Sequence, residues 1–454
     1  MSAPQREEWN SVLGFILAAA GSAVGLGNIW RFPYIVGKNG GGNFVLLYLL
    51  IVFLLGLPVM YLELAAGRKT KRGPVGAIKA LAPGSFWKFL GYLAVITGIA
   101  ILSYYGVVAG WTIYYLFHSI FFGFESGNTS ALFNKFTSNG LLQISLLFIF
   151  IGITTSVVFF GIKGGIEKIS KVLMPLLLIL MLGLIIYCFT LPNASKGLEY
   201  YFMPRFSEMN TNTFIFALGQ AFFSLSLGMG AMMTYGSYLK KSEKLLNAGF
   251  VVIIFDTAIA IMAGLIIFPV IGGAPEKASA GLVFVVITDL FTKIPGGQLL
   301  AIFFFLLLSI AALTSTISLL EVAASYLIDE HKISRKKATV SIGFITFLVG
   351  IPSALSQGAT SFFTKFIKIG DKHLSFLDSF DFAFGNISLA LGALLLVLFV
   401  IFKWKFQNAK IEIFRNQEDK LWLSYILKPL VLFAVPAAIC IVLGFIIFTG
   451  KTLS

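Results

Sequence analysis

Two apolar stretches of the chain are interrupted by glycines that stand beside small polar residues. The first contains GSAVGLGN at 21–28, and the second contains SLSLGMG at 224–230. Glycine disfavours a helix and lets other groups approach the backbone closely. Unwound backbone at membrane depth is tolerated where it lines a cavity, and its free carbonyl and N–H groups can bind ions and carboxylates. Although the first segment alone could be a close-packing motif, the two together predict a ligand site.

A carboxyl group lies in the middle of another apolar stretch, at Asp256. An intramembrane acid is costly and usually marks function, with a partner nearby. The alternative is a protonated structural acid that bonds to a neighbouring helix. The chain contains no phosphate-binding loop motif, and its three histidines are scattered at His118, His331 and His373. The sequence therefore disfavours an enzyme.

The composition indicates an integral membrane protein. Of 454 residues, 58% are hydrophobic and only 12% are charged, which is too few charges to cover a soluble domain of this length. The net charge of +14 does not indicate a nucleic-acid partner, because the basic residues fall in alternate loops between apolar runs, above all at 68–72. This positive-inside pattern predicts a multi-pass protein of the cell membrane whose N-terminus is cytoplasmic.

Apolar stretches long enough to cross a bilayer as helices occur eleven times. We predict spans at 11–36, 42–66, 87–121, 141–161, 167–191, 212–239, 245–272, 298–328, 337–355, 377–403 and 421–448. The whole chain, 1–454, is then one transmembrane domain. The stretch from Ala280 to Phe291 is too short to span, and we predict a re-entrant or lid-like helix there. The glycine breaks fall in spans 1 and 6.

The segment GLGNIWRFP at 25–33, followed by NGGG at 39–42, resembles the neurotransmitter:sodium symporter family, most closely its bacterial amino-acid branch. The similarity extends over essentially the whole chain, with further motifs in spans 3, 5, 6, 7, 8 and 10. It implies an all-α fold of two inverted five-helix repeats, here about 11–191 and 212–403, with an extra helix at 421–448. In that fold helices 1 and 6 are unwound at mid-membrane. Eukaryotic members differ by a twelfth span and a long second extracellular loop.

The resemblance also implies two sodium sites. The first takes the substrate carboxylate and groups of Ala23, Asn28, Ser224 and Asp256. The second takes groups of Gly21, Val24, Ala311, Thr314 and Ser315. Such carbonyl and hydroxyl oxygens suit a hard cation. The alternative for the two span 8 hydroxyls is bonding to carbonyls of their own helix.

An amino-acid substrate is expected to lie against the same breaks. Its carboxylate is expected to meet N–H groups near Leu26 and Gly27, at the end of a half-helix, and the hydroxyl of Tyr105. Its ammonium group is expected to meet oxygens of Ala23, Phe223 and Ser224. The side-chain pocket is expected to have walls of Ile101, Tyr105, Phe223, Ser226, Met229, Ser315 and Leu319. Without this context, the aromatic pair Tyr104 and Tyr105 would be ordinary packing residues.

Gates on both sides of the site also follow from the resemblance. The outer pair is Arg31 and Asp381, beneath which Tyr105 and Phe223 form a lid over the substrate. The inner gate is expected to contain Arg6, Trp9, Tyr238 and Asp329. The alternatives are a permanent structural bridge for the outer pair and a topology charge for Arg6. Span 5 carries Gly165 and Pro175, a spacing that marks local unwinding toward the cytoplasm in this family.

Chloride-dependent relatives surround their anion with a tyrosine, a glutamine and serines. Tyr48, Gln220 and Ser224 match three of these, but the remaining serine position is Ala260, which has no donor. Asp256 stands one helical turn earlier. We therefore predict a fixed carboxylate in place of the anion and no chloride requirement.

The sequence thus predicts a sodium-coupled symporter that imports a neutral amino acid, large aliphatic or aromatic, by alternating access. Three alternatives stay open: a passive channel of the same fold, a sensor that binds an amino acid without moving it, and proton-coupled transport through Asp256. The expected partners are the amino acid and the lipid bilayer, and the sequence does not predict an oligomeric state.

Overall fold

The computed structural model describes residues 6–273, 281–369 and 372–450. Within these ranges nine helices are long and apolar enough to cross a membrane, and a tenth span is a bent pair. The nine continuous spans are Gly42–Thr70 (span 2), Lys88–Phe121 (3), Gly140–Phe159 (4), Ile162–Cys188 (5), Leu245–Ile271 (7), Gly297–His331 (8), Arg335–Ala354 (9), Phe376–Trp404 (10) and Leu423–Thr449 (11). Spans 1 and 6 are each made of two shorter helices.

Span 1 breaks where the sequence predicts. Its first half is Val12–Ala23 and its second half is Gly27–Lys38, with a bend of 54° between them. Val24 leaves the helix with an extended ψ of 113°. The turn that follows is closed by Asn28, whose side-chain oxygen accepts the N–H of Gly25 at 3.1 Å. The break therefore exposes backbone groups on both sides of Gly25.

Span 6 consists of Thr211–Ser224 and Ala231–Ser237, with six non-helical residues between them. Three of these six have positive φ: Ser226 at 54°, Gly228 at 85° and Gly230 at 74°. Glycine tolerates this region without strain. A Cβ on Gly228 would lie 2.1 Å from the carbonyl oxygen of Leu389 in span 10, so a side chain is also excluded by space. Sequence and packing together keep this segment unwound.

Spans 3 and 8 form the centre of the bundle, whereas spans 5 and 11 lie at its edge. In the most apolar stretch of each helix, 83% of the residues are buried in span 3 and 72% in span 8, against 28% in span 5 and 39% in span 11. A helix that is buried all round belongs to a core, and one with an exposed apolar face in a membrane protein faces lipid. Both broken spans pack against span 8.

The connections contain short helices and one hairpin. The helices are Pro74–Leu81, Thr129–Thr137, Ala194–Phe202, Phe206–Glu208, Leu282–Phe291, Ser361–Thr364, Phe406–Ile413 and Glu418–Lys420. The strands Ile367–Ile369 and Lys372–Leu374 pair antiparallel, with Lys368 opposite His373. The short apolar helix that the sequence predicts before span 8 is present as Leu282–Phe291, while Ala280 lies outside the described residues.

The observed helices differ from the predicted spans mainly at their ends. Span 5 begins at Ile162, five residues before the predicted start, and span 2 continues to Thr70, four residues past the predicted end. Charged residues such as Lys163 and Lys69 lower the hydropathy there, although the backbone stays helical. Hydropathy reports the thickness of the apolar layer, not the length of the helix.

Candidate functional site

A narrow cavity lies where the two breaks meet. Ten of the eleven residues predicted to bind substrate line it: Ala23, Gly27, Ile101, Tyr105, Phe223, Ser224, Ser226, Met229, Ser315 and Leu319. The eleventh, Leu26, lies beside it and donates its backbone N–H to the Tyr105 hydroxyl at 2.9 Å. Ser22, Gly25, Asn28 and Leu389 complete the lining. The lining is apolar apart from hydroxyls, one amide and backbone groups, and it contains no charged side chain.

Asp256 is held at one edge of this cavity by donors from both breaks. Its carboxylate accepts the side-chain amide of Asn28 at 2.7 Å and the hydroxyl of Ser224 at 2.8 Å. Tyr48 in turn donates its hydroxyl to Ser224 at 3.3 Å. All four side chains are buried. Side chains of spans 1, 2, 6 and 7 thus meet at one carboxylate. This arrangement agrees with the sodium assignment, but the same contacts would also satisfy a structural acid.

The second group of predicted sodium ligands lies between span 1 and span 8. Ser315 donates its hydroxyl to the carbonyl of Val24 at 3.0 Å, across the break. Thr314 donates to the carbonyl of Ala311 at 3.0 Å within its own helix. Gly21 packs against Thr314, since a Cβ on this glycine would lie 3.1 Å from the threonine Cβ. All five predicted residues are therefore brought together, and Thr314 alone shows the within-helix bond that was the alternative.

Above the first cavity lies a second, larger one. Tyr105 and Phe223 line both cavities, so the predicted lid residues form the partition between them. Of these two cavities, Arg31 and Asp381 line only the upper one.

The predicted outer pair does not form an ion pair in the part of the chain that the structure describes. The Arg31 guanidinium stacks on the Phe223 ring at 4.3 Å. Asp381 accepts the Tyr104 hydroxyl at 2.9 Å and the Asn386 amide at 3.2 Å. Each member of the pair therefore has another partner, and both line the upper cavity.

The predicted inner gate is closed. Arg6 forms an ion pair with Asp329, donates to the Ser237 hydroxyl and stacks on the Tyr238 ring at 4.5 Å. Trp9 donates its ring N–H to the carbonyl of Tyr235 at 3.1 Å and its backbone N–H to that of Tyr238 at 3.2 Å. The N-terminal segment is thereby fixed against spans 6 and 8.

Two further ion pairs extend this closure to other spans. Glu7 pairs with Arg335 of span 9 at 3.1 Å. Glu8 pairs with Lys71, which follows span 2, at 2.8 Å. The sequence did not identify these contacts because the acidic partners are ordinary surface residue types whose positions depend on the fold.

Three residues match the chloride site of relatives. Tyr48 and Ser224 lie beside Asp256, whereas Gln220 contacts the break of span 1. Gln220 donates its amide to the carbonyl of Gly27 at 3.3 Å, and Ala260 is buried.

Span 5 is continuous from Ile162 to Cys188 and contains Pro175 without a break. The unwinding predicted there therefore stays a prediction about another conformation.

One buried acid of the site was missing from the predicted residues. Glu63 of span 2 accepts the backbone N–H of Gly228 at 2.7 Å and that of Met233 at 3.3 Å. It thus supplies acceptors to the N–H groups that the break in span 6 leaves free. An acid inside an apolar run is a signal that could have found it, by the argument used for Asp256.

Comparisons with known proteins agree with this architecture. The chain matches the model of the sodium:neurotransmitter symporter family over residues 6–128 and 121–442. It is 35% identical to the uncharacterized sodium-dependent transporter YhdH of Bacillus subtilis (strain 168), covering 97% of this chain and 98% of the relative. It is 36% identical to the uncharacterized sodium-dependent transporter MJ1319 of Methanocaldococcus jannaschii, covering 96% and 90%.

Among solved structures, the chain is similar to MhsT in complex with L-phenylalanine. The TM-score is 0.87 at 42% identity, and the match covers 96% of this chain and 99% of MhsT. The predicted fold class is thereby confirmed, and the relatives are transporters, as the sequence predicted, not enzymes. The protein is a multi-pass, sodium-dependent transporter, and it belongs to the sodium:neurotransmitter symporter family.

Proposed function

We propose that the protein imports a neutral, hydrophobic amino acid by sodium-coupled symport and alternating access, without a requirement for chloride. The observation that carries the proposal is the cavity between the two breaks. It combines backbone groups and hydroxyls for the charged ends of an amino acid with an apolar wall. MhsT, a similar protein, has been crystallised with L-phenylalanine.

The substrate carboxylate is assigned to the start of the second half of span 1. The hydroxyl of Tyr105 already accepts the N–H of Leu26 at 2.9 Å and keeps its own proton for a further acceptor. The positive end of a half-helix favours a carboxylate there. The ammonium group is assigned to the carbonyls of Ala23 and Phe223, where the backbone leaves the helix.

Selectivity for uncharged side chains follows from the rest of the lining. Ile101, Met229, Leu319 and Leu389 offer only apolar contacts. A buried charge without a partner is strongly unfavourable, so acidic and basic amino acids are rejected. Met229 is unbranched and adapts its shape, which leaves space for aromatic and leucine-sized substrates.

Sodium is assigned to two positions beside the cavity. The first uses Asp256 with Asn28, Ser224 and the carbonyl of Ala23, together with the substrate carboxylate. Because the substrate supplies one ligand of this ion, binding of either one strengthens binding of the other. The second uses the carbonyls of Gly21, Val24 and Ala311 and the hydroxyls of Thr314 and Ser315. This position couples span 1 to span 8.

Chloride independence is supported by the fixed charge of Asp256. Its carboxylate lies next to the Ser224 hydroxyl, to which Tyr48 donates, and Ala260 provides no donor for an anion. A negative charge is therefore already present where a chloride ion would compensate sodium.

The direction of opening follows from the two gates. The side that carries the N-terminus is sealed by ion pairs, whereas the opposite side has the large upper cavity. The basic loops indicate that the sealed side is cytoplasmic. We therefore assign this conformation to the outward-facing half of the cycle, with Tyr105 and Phe223 covering the substrate.

The test is counterflow and net uptake of labelled amino acids in proteoliposomes, with a full panel of competitors. We expect uptake to follow an inward sodium gradient and to stop when choline replaces sodium at fixed pH. Uptake that follows a proton gradient without sodium would favour proton coupling through Asp256. Sodium-dependent binding without flux would favour a sensor, and flux without counterflow would favour a channel.

A further inference from the structure

A basic and aromatic surface lies where the helix Phe406–Ile413 meets the first turns of span 11. We call it the span 11 lysine surface and define it by Lys410, Trp422, Tyr425 and Lys428. It lies at the end of the bundle that carries the N-terminal segment, because Glu412 of the same short helix pairs with Arg68 at the end of span 2. The transport cycle assigned above does not use it.

The short helix is fixed to the bundle, which sets the position of Lys410. The Arg68 Nε atom lies 2.7 Å from a carboxylate oxygen of Glu412, and both side chains are fully buried. Arg68 also donates to the carbonyl of Glu243 at 2.8 Å. Breaking a buried ion pair is strongly unfavourable, so the helix keeps this position. Ile411, on its other face, is 57% exposed.

One amine lies over the ring of Tyr425, and a second lysine follows one helical turn later. The Lys410 Nζ atom lies 5.9 Å from the ring centroid. Lys428 follows Tyr425 by three residues, so the two are neighbours on the same face of span 11, and both are exposed. Side chains of a helix lean toward its N-terminus, and long lysine chains extend toward the membrane surface. We therefore expect the Lys428 amine to reach the level of Tyr425 and Lys410.

The surroundings place these amines at the boundary between lipid and water. Trp422 is 59% exposed and Tyr425 is 80% exposed. Exposed tryptophan and tyrosine mark the headgroup level of a membrane. Neither Lys410 nor Lys428 has an ion-pair partner among the residues that the structure describes, while the nearby Glu412 is paired with Arg68 and Arg415. Two cations without an ion-pair partner at this depth favour an anionic ligand.

We propose that the span 11 lysine surface binds the phosphate of an anionic phospholipid. The phosphate lies between the amines of Lys410 and Lys428, with Tyr425 beside it, and the acyl chains follow the exposed apolar face of span 11. A zwitterionic lipid is disfavoured because its own cation would face the two amines. With the orientation assigned above, the lipid belongs to the cytoplasmic leaflet. The site does not depend on which solute is carried.

The test is native mass spectrometry of the purified protein with added phosphatidylglycerol or phosphatidylcholine. We expect the parent to retain phosphatidylglycerol in preference. In the double variant Lys410→Gln, Lys428→Gln its affinity should fall about 30-fold, which corresponds to about 2 kcal/mol for two lysines. The control is Lys365→Gln, Lys368→Gln at the hairpin on the opposite end of the bundle, which should behave like the parent.

Three outcomes would overturn the proposal. They are equal retention of both lipids by the parent, unchanged retention by the double variant, and equal losses in the double variant and the hairpin control. Glycerol phosphate, which carries the phosphate without acyl chains, should not displace the lipid. Displacement by it would instead indicate a site for soluble phosphates. Sodium-dependent binding of a labelled amino acid by the double variant would show that it is folded.

Discussion

Span 8 contains two threonines that allow a sharp test of the proposed second sodium site. Thr314 packs against Gly21 at the break of span 1, and its hydroxyl bonds only to carbonyls of its own helix. Thr316 lies two residues later and its hydroxyl pairs with that of Thr154 in span 4 at 2.9 Å. Valine has nearly the same shape as threonine but no hydroxyl. Thr314→Val and Thr316→Val are therefore matched changes, of which only the first removes a proposed ion ligand.

The size of the effect can be estimated from the contacts. A polar contact to a charged partner is worth about 1.5–3 kcal/mol, so losing one hydroxyl ligand should weaken sodium binding about 10- to 150-fold. Folding should change little in Thr314→Val, by about 1 kcal/mol or less, because its hydroxyl bonds to carbonyls that the helix already satisfies. Thr316→Val loses a bond between two helices and should be the less stable of the two variants.

The assay is equilibrium binding of a labelled amino acid while sodium is varied, with choline keeping the ionic strength constant. We expect half-saturating sodium to rise at least tenfold in Thr314→Val and to stay within twofold of the parent in Thr316→Val. Thermal unfolding of both variants reports whether the protein remains intact. If half-saturating sodium is the same in Thr314→Val and in the parent, or rises equally in both variants, the reasoning is wrong.

Three other changes test the pocket, the anion and the break. Met229→Phe should shift competition toward smaller aliphatic amino acids, because a rigid ring fills the cavity; an unchanged competition profile would remove Met229 from the selectivity argument. Uptake by the parent should proceed fully in gluconate. Asp256→Asn should impair uptake, and adding Ala260→Ser should restore it only with chloride; a parent that stops without chloride would contradict the assignment. Gly228→Ala should lower thermal stability by more than about 1 kcal/mol, because its φ is 85° and the Leu389 carbonyl occupies the space of a Cβ. Gly183→Ala in span 5 should not lower thermal stability, because a Cβ there would have open space around it. Equal losses of stability in the two variants would refute the packing argument.

The sequence predicts the breaks well because their cause is local. Glycines and small polar residues disfavour a helix wherever the rest of the chain lies, so spans 1 and 6 are recognisable before any contact is known. The ends of the helices are less predictable. Span 5 begins at Ile162 because its backbone stays helical through Lys163 and Glu167, although these residues end the apolar pattern.

Contacts between distant parts of the chain are the portion that the sequence does not reveal. Glu63 and Gly228 are 165 residues apart, and only the packing of span 2 against span 6 brings that carboxylate to the free N–H. The resemblance identifies Arg31 and Asp381 as a pair, yet it does not reveal that Phe223 and Tyr104 bind them separately in this conformation. Which partner each of these two residues contacts depends on small free-energy differences between conformations of one fold.

The three consecutive charges at the N-terminus have a consequence for how the inner side opens. Arg6, Glu7 and Glu8 pair with three different spans, and each pair is partly exposed to water. The two more exposed pairs, formed by Glu7 and Glu8, contribute only about 0–1 kcal/mol each. Because they follow one another along a non-helical segment, they can break in sequence. The segment can then detach stepwise, and its opening rate should rise with ionic strength.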